Sequence, residues 1–359
     1  MKKIIKLCCG CAATVLLLGL AGGCGTPSSK TTAAAPANVS EEATWQIEDT
    51  TVYGTVTHPA AGAKFPAVLF IAGSGPTDWD WNSPLIAGKN GSGKLLAEAL
   101  AGKGYLTLRY DKRFTGPHAQ ENLPKLTGKI SMQGHLDEIA GAINNLLARK
   151  DVDPNRIYIL GNSEGTIHAV NYYFAPGSHK LAGLILTGAP GQPLKDLMRA
   201  QLAAQLANYP GGDNIMSLYD KAIQEFIDTG KVTIDPSLPD GIKQLIASLT
   251  APVNMPFTQE FLSADIAPQM QQIDIPVLVV IGKKDIQVNW EVDGAKLQAA
   301  AAGKANITFN FPDNANHILE YEAKDKSAIN LTDPGYNTPD RVLDGPTVDT
   351  ITAWLDSHK

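Results

Sequence analysis

The chain is poor in cysteine: its 359 residues carry four, Cys8, Cys9, Cys11 and Cys24, and none beyond position 24. That absence excludes a disulfide framework, a cysteine-ligated metal site and a cysteine nucleophile from everything that follows. Long apolar runs are missing as well. The stretch over 11–21 (CAATVLLLGLA) falls short of the roughly 20 residues needed to span a bilayer. Positive charge is not in excess, with Lys+Arg 30 against Asp+Glu 36 and a net charge of −6, so nothing electrostatic draws the chain to nucleic acid. Glycine, at 33 residues, has no fixed period, and hydrophobic residues make up 44%, which excludes collagen-like and disordered chains. No repeat of solenoid or propeller length is visible.

The first 44 residues read as export and attachment signals. Lys2, Lys3 and Lys6 precede the apolar stretch, and the small residues Gly22 and Gly23 follow it, as in a secretory signal peptide over residues 1–23. Leu20-Ala21-Gly22-Gly23-Cys24 resembles the lipobox of bacterial lipoproteins, although Ala21 stands where leucine is usual. That resemblance implies a lipidated Cys24 at the start of the mature chain. Residues 24–44, rich in Ser, Thr, Ala and Pro, then read as a flexible tether to a domain over 45–359. The expected location is the bacterial cell envelope, held there by a lipid anchor.

From residue 51 onward, short β-rich runs alternate with helical patterns. Strands are expected at 51–57 (TVYGTVT), 67–72 (AVLFIA), 105–110 (YLTLRY), 156–160 (RIYIL), 181–187 (LAGLILT), 277–281 (VLVVI) and 307–311 (ITFNF). Several are apolar throughout, as in parallel strands covered on both faces. Helices are expected over 94–101 and over 132–148. In the latter, Leu136, Ile139, Ile143, Leu146 and Leu147 form a stripe behind a Ser131 cap. A last helix runs over about 347–357. Strand–helix alternation predicts an α/β fold with a mostly parallel sheet. Between about 192 and 273 the alternation gives way to helical patterns alone, at Leu194, Met198, Leu202 and Leu206, at Ile215, Tyr219, Ile223 and Ile227, and over 242–249 behind an Asp240 cap. This segment reads as an insertion that packs and covers the sheet edge.

Chemistry concentrates after the strands. Gly161-Asn162-Ser163-Glu164-Gly165 follows the 156–160 strand and precedes a helix. A serine on such a strained turn stands clear of the sheet, and glycine two residues to either side avoids collision with strand and helix. A serine nucleophile needs a base, and the base needs an orienting acid. Among the seven histidines, His317 lies just beyond the last strand, at the sheet edge where ligands bind. His168 sits on the helix after Ser163 and reads as a packing or capping residue. Asp285 follows the 277–281 strand, with Asp313 as the competing acid and a turn role as its alternative. Two N–H donors are needed for an oxyanion: the amide of Glu164 and that of Ser74, in the Gly73-Ser74-Gly75-Pro76 turn after a buried strand.

With these residues placed, the chain resembles the α/β-hydrolase superfamily, and within it bacterial esterase or serine aminopeptidase-like hydrolases. The resemblance rests on 71–82 (IAGSGPTDWDWN), 108–113 (LRYDKR), 151–157 (DVDPNRI), 161–165 (GNSEG), 282–285 (GKKD) and Asn316-His317. It implies the α/β-hydrolase fold with a helical cap insertion, a Ser163–Asp285–His317 triad and a small-molecule acyl ester substrate. Trp79 and Trp81 flank Asp80 where relatives commonly carry T-D-R-D-G-N, a difference that bears on substrate choice. Spacing shows no metal ligands, so neither metal nor other cofactor is expected. Two alternatives remain. One is a peptidase that binds a substrate amine through Asp78, Asp80 or Glu164. The other is a binding lipoprotein that keeps the fold without the chemistry.

Overall fold

The computed structural model of the chain describes residues 38–359, except 63, 85 and 332. Cys24, the expected signal peptide and most of the expected tether lie outside the described residues. Among those described, one sheet of eight strands is formed by β1 (Val39–Ile47), β2 (Thr50–His58), β3 (Phe65–Ile71), β4 (Leu106–Tyr110), β5 (Val152–Asn162), β6 (Gly183–Thr187), β7 (Val277–Val280) and β8 (Ile307–Asn310). Their spatial order is β1-β2-β4-β3-β5-β6-β7-β8. β2 runs antiparallel to both neighbours, and every pairing from β4 to β8 is parallel.

The crossovers carry α1 (Ser92–Ala101) after β3, α2 (Ala119–Leu126) and α3 (Met132–Leu147) after β4, and α4 (Glu164–Phe174) after β5. Between β6 and β7 come α5 (Leu194–Leu206), α6 (Gly212–Thr229), α7 (Asp240–Leu249) and α8 (Phe257–Leu262). After β7 comes α9 (Ala295–Ala300), and after β8 α10 (Gly345–Ser357).

Period-two alternation divides the core between the two sheet faces. Val68, Phe70, Tyr158 and Leu160 pack with Leu96 and Leu100 of α1 and with Ile351 and Leu355 of α10. Leu69, Ile71, Ile157 and Ile159 point the other way, to Ile139 and Ile143 of α3 and Ile167 and Val170 of α4. Burying each such side chain contributes about 1.5–3 kcal/mol. The apolar runs therefore mark strands with helices on both faces.

Three sequence expectations are corrected. Residues 39–44, assigned to the tether, open β1, which pairs along its whole length with β2. As an edge strand it buries little besides Ala43, so its polar composition hid it. On α3, Ser131 does cap, accepting from the Gly134 amide at 3.0 Å. The buried face, however, runs through His135, Glu138, Ile139, Ala142, Ile143 and Leu146, with Leu136 and Leu147 only partly buried. The polar pair interrupted the apolar stripe. Asp240 is the first residue of α7 rather than its cap, which is Pro239, and its carboxylate takes Lys243 Nζ at 2.8 Å.

Candidate active site

Ser163 stands between the end of β5 and the start of α4 at φ 54°, ψ −119°, a conformation that costs a non-glycine residue on the order of 1–3 kcal/mol. The surroundings hold it there. A Cβ on Gly161 would lie 2.3 Å from the Gly165 carbonyl oxygen, and one on Gly165 would lie 2.3 Å from that of Ile71. Only glycine at both places lets α4 turn back this tightly over the strand. The Ser163 amide donates to Thr187 O on β6 at 2.9 Å.

His317, in the loop after β8, meets Asp285, in the loop after β7, through Nδ1 and Oδ2 at 2.7 Å. The other oxygen of Asp285 accepts the amides of Gln287 and Val288 at 2.7 and 2.9 Å. A carboxylate on Nδ1 leaves Nε2 as the nitrogen free to accept a proton. Both side chains are buried. Four residues not singled out in the sequence support them. The Asn162 side chain donates to His317 O and to Thr187 Oγ1, both at 3.1 Å, and so ties the histidine loop to the serine turn. Gly188, at φ 57°, lies so close that a Cβ would come within 2.9 Å of His317 Cε1. Buried Glu320 holds Asn316, next to the histidine, at 3.0 Å and is itself held by Arg341 Nε at 3.1 Å. Asp313, the competing acid, is exposed and pairs with Lys283 at 2.7 Å.

The amides of Ser74 and Glu164 have no acceptor among the described residues. Beneath them lies a buried polar network whose members are scattered along the chain. Lys112 Nζ donates to Gly73 O at 2.7 Å and to Glu164 Oε1 at 3.0 Å. His168 Nε2 meets the same carboxylate oxygen at 3.2 Å. The His168 ring lies 4.3 Å from that of His135, which contacts Glu138 at 2.9 Å, and Glu138 accepts from Arg113 Nε at 3.0 Å. Burial alone would raise the carboxyls of Glu164 and Glu138. Lys112 and His168 hold Glu164 well below the usual range, and His135 with Arg113 hold Glu138 at about 2. Burial, with His135 nearby, takes His168 down to about 4.

His135, Glu164 and His168 present ligand atoms within 4.8 Å of one another, a grouping that sequence spacing did not reveal. Glu164 Oε1 is already engaged by an ammonium, and a divalent ion would face the buried cations Lys112 and Arg113. The cluster is built as an ion-pair network.

Ser74, Ser163, Asp285 and His317 line one cavity of about 530 Å³. Of the insertion, α5 contributes Leu194, Leu197 and Met198, while Trp81, Val288 and Ile318 add apolar surface. Trp81 lines the cavity; Trp79 does not, and its amide is fastened to Asp111 Oδ1 at 2.7 Å. The carboxylates considered for a substrate amine are occupied. Asp80 pairs with Arg109, Asp78 accepts the amides of Asp80 and Asn82 at 3.0 and 2.9 Å, and Glu164 faces Lys112.

Strand order, a helical insertion after β6 and the gathering of the Ser163, Asp285 and His317 loops at the carboxyl ends of parallel strands define the α/β-hydrolase fold. Solved structures share it. A hypothetical protein from Pseudomonas aeruginosa matches with a TM-score of 0.53 and 14% identity, over 91% of this chain and 95% of that one. A proline iminopeptidase from Mycobacterium smegmatis matches with a TM-score of 0.51 and 16% identity, over 89% and 98%. In sequence, the chain is similar to Esterase EstD of Thermotoga maritima, 26% identical over 302 residues. The match covers 84% of this chain and 65% of that protein's length, which is less than two thirds. No family model matches the chain.

Proposed function

We propose that the protein is an exported serine hydrolase that cleaves carboxylic esters of small molecules, tethered to the cell envelope by a lipid on Cys24. The observation that carries the catalytic part is the 2.7 Å contact of His317 Nδ1 with Asp285, on the same cavity as Ser163 in its positive-φ turn. Ser163 Oγ attacks the acyl carbonyl as His317 Nε2 takes its proton. The Ser74 and Glu164 amides bind the oxyanion, and His317 returns the proton to the departing alcohol. Water, deprotonated by His317, then releases the acid from the acyl-enzyme. Asp285 keeps the imidazole oriented and stabilises its charged form.

The apolar lining from α5 suits an acyl group, and a cavity of about 530 Å³ is ample for a small ester. The similarity to an esterase supports this choice of substrate. The peptidase alternative requires a carboxylate free to meet a substrate amine, and Asp78, Asp80 and Glu164 are all engaged.

The test is labelling with a fluorophosphonate and turnover of short acyl esters. Ser163→Ala is expected to abolish both. Asp285→Asn should lower kcat by about 10⁴, as loss of the orienting acid does elsewhere, and Asp313→Asn by less than about threefold. Undiminished labelling of the Ser163→Ala protein would overturn the assignment. A wild-type protein that neither labels nor turns over esters would support the binding lipoprotein instead.

A further inference from the structure

The Gly73 carbonyl and the Ser74 amide are the two ends of one peptide unit. In a trans peptide these groups point in opposite directions, so whatever holds the oxygen also aims the N–H. Lys112 Nζ holds that oxygen at 2.7 Å, from a side chain 2% exposed. The same ammonium lies 3.0 Å from the carboxylate of Glu164, whose own amide is the second free donor, and the Phe114 ring lies 5.5 Å from it. One buried cation thus touches both segments from which the two free amides come. Shielded from water, its hydrogen bonds are stronger than they would be at the surface, and a charge on a carbonyl oxygen polarises the N–H at the far end of the peptide.

We propose that Lys112 is a positioning residue for the oxyanion hole: its ammonium locks and polarises the Gly73–Ser74 peptide and, through Glu164, fixes the second donor to the same charge. The inference rests on the ester-hydrolase reading above. It accounts for a lysine kept in a core where an uncompensated ammonium would be costly. It also gives the Glu164 side chain a role separate from that of its amide. Lys112 does not touch the substrate; it acts through the backbone of Ser74 and the side chain of Glu164.

Removing Lys112 alone would strand the Glu164 carboxylate, so the test uses charge-neutral pairs. In Lys112→Gln/Glu164→Gln a neutral donor remains near Gly73 O; in Lys112→Met/Glu164→Gln none does. Loss of one oxyanion donor costs about 10²–10³ in kcat, and loosening one should cost less, about tenfold in the Gln pair and about 100-fold in the Met pair. KM for the ester should stay within about threefold, because ground-state binding does not use the oxyanion donors. Affinity for a trifluoromethyl ketone, which forms a tetrahedral oxyanion with the serine, should fall by the same factor as kcat/KM. A merely structural role would weaken substrate and ketone binding together. Wild-type kcat and ketone affinity in either folded pair would overturn the inference while leaving the hydrolase reading intact. If the Met pair does not fold, the Gln pair alone decides. Absence of labelling and turnover in the wild type would overturn the hydrolase reading itself, and the inference with it.

Discussion

Asp111, directly after β4, is a carboxyl whose environment reverses its ordinary behaviour. One oxygen accepts the Trp79 amide at 2.7 Å, while the other is buried without a partner. Burial pushes this carboxyl up from 3.8 to about 7, outweighing the Trp79 hydrogen bond. Between those values the folded protein holds a proton that the unfolded chain has released. Asp111 therefore contributes stability below about pH 4 and loses it as pH rises through about 7. Asp111→Asn keeps the acceptor for Trp79 and removes the charge. Thermal melts of the two proteins should diverge in the variant's favour from about pH 4 to about pH 8; a gap that does not change with pH would contradict this. Nothing in the linear order LRYDKR distinguishes Asp111, Lys112 and Arg113 from surface charges. All three are buried, and their partners lie tens of residues away, at Trp79, Glu164 and Glu138.

At the scale of elements, the strand–turn–helix around Ser163 is where local sequence and local structure agree most closely. Gly161 and Gly165 are required by backbone, not by flexible side chains, and β3 cannot move away from Gly165 without breaking its pairings with β4 and β5. Gly165→Ala should destabilise the protein by about 3 kcal/mol or more in urea titration. Gly177, at φ 77° with nothing within 4 Å of an added Cβ, should lose only the αL penalty of about 1–2 kcal/mol on the same change. A loss at Gly165 no larger than that at Gly177 would mean that the turn gives way to an added methyl and that its packing does not impose the requirement. By contrast, β1 carries little local signal. Its neighbour β2 and Trp45, whose ring packs over Gly141 of α3, make it a strand. The stripe on α3 was readable only in part, because His135 and Glu138 occupy apolar positions of the pattern and are buried by virtue of Arg113 and His168.

At the scale of the molecule, the insertion after β6 brings α5 over the carboxyl edge of the sheet, so that one helix face serves both core and cavity. Leu202 and Leu206 of that helix are buried in the core, Leu197 lines the cavity, and Met198 belongs to both. On the proposed ester-hydrolase function, the acyl chain would lie against the insertion, which would then set selectivity. Met198→Trp should shorten the acyl chain accepted, lowering kcat/KM for the longest accepted ester by about 10–100-fold and leaving acetyl esters within about threefold, as measured on a graded ester series. A uniform loss over the series would place selectivity elsewhere.

By itself the sequence determined the α/β class and the positions of Ser163, Asp285 and His317 after three separate strands. Each of these depends on local periodicity, on a glycine-flanked turn, or on the rule that loops after parallel strands gather at one edge. Tertiary structure alone decided which acid meets His317, that Asn162 and Gly188 brace it, and that Lys112, Glu164, His168, His135, Glu138 and Arg113 form one buried network. The reason is physical. A buried charge is tolerated only where opposite charges and hydrogen bonds converge on it, and that convergence exists in the folded chain, not in the linear order of its residues.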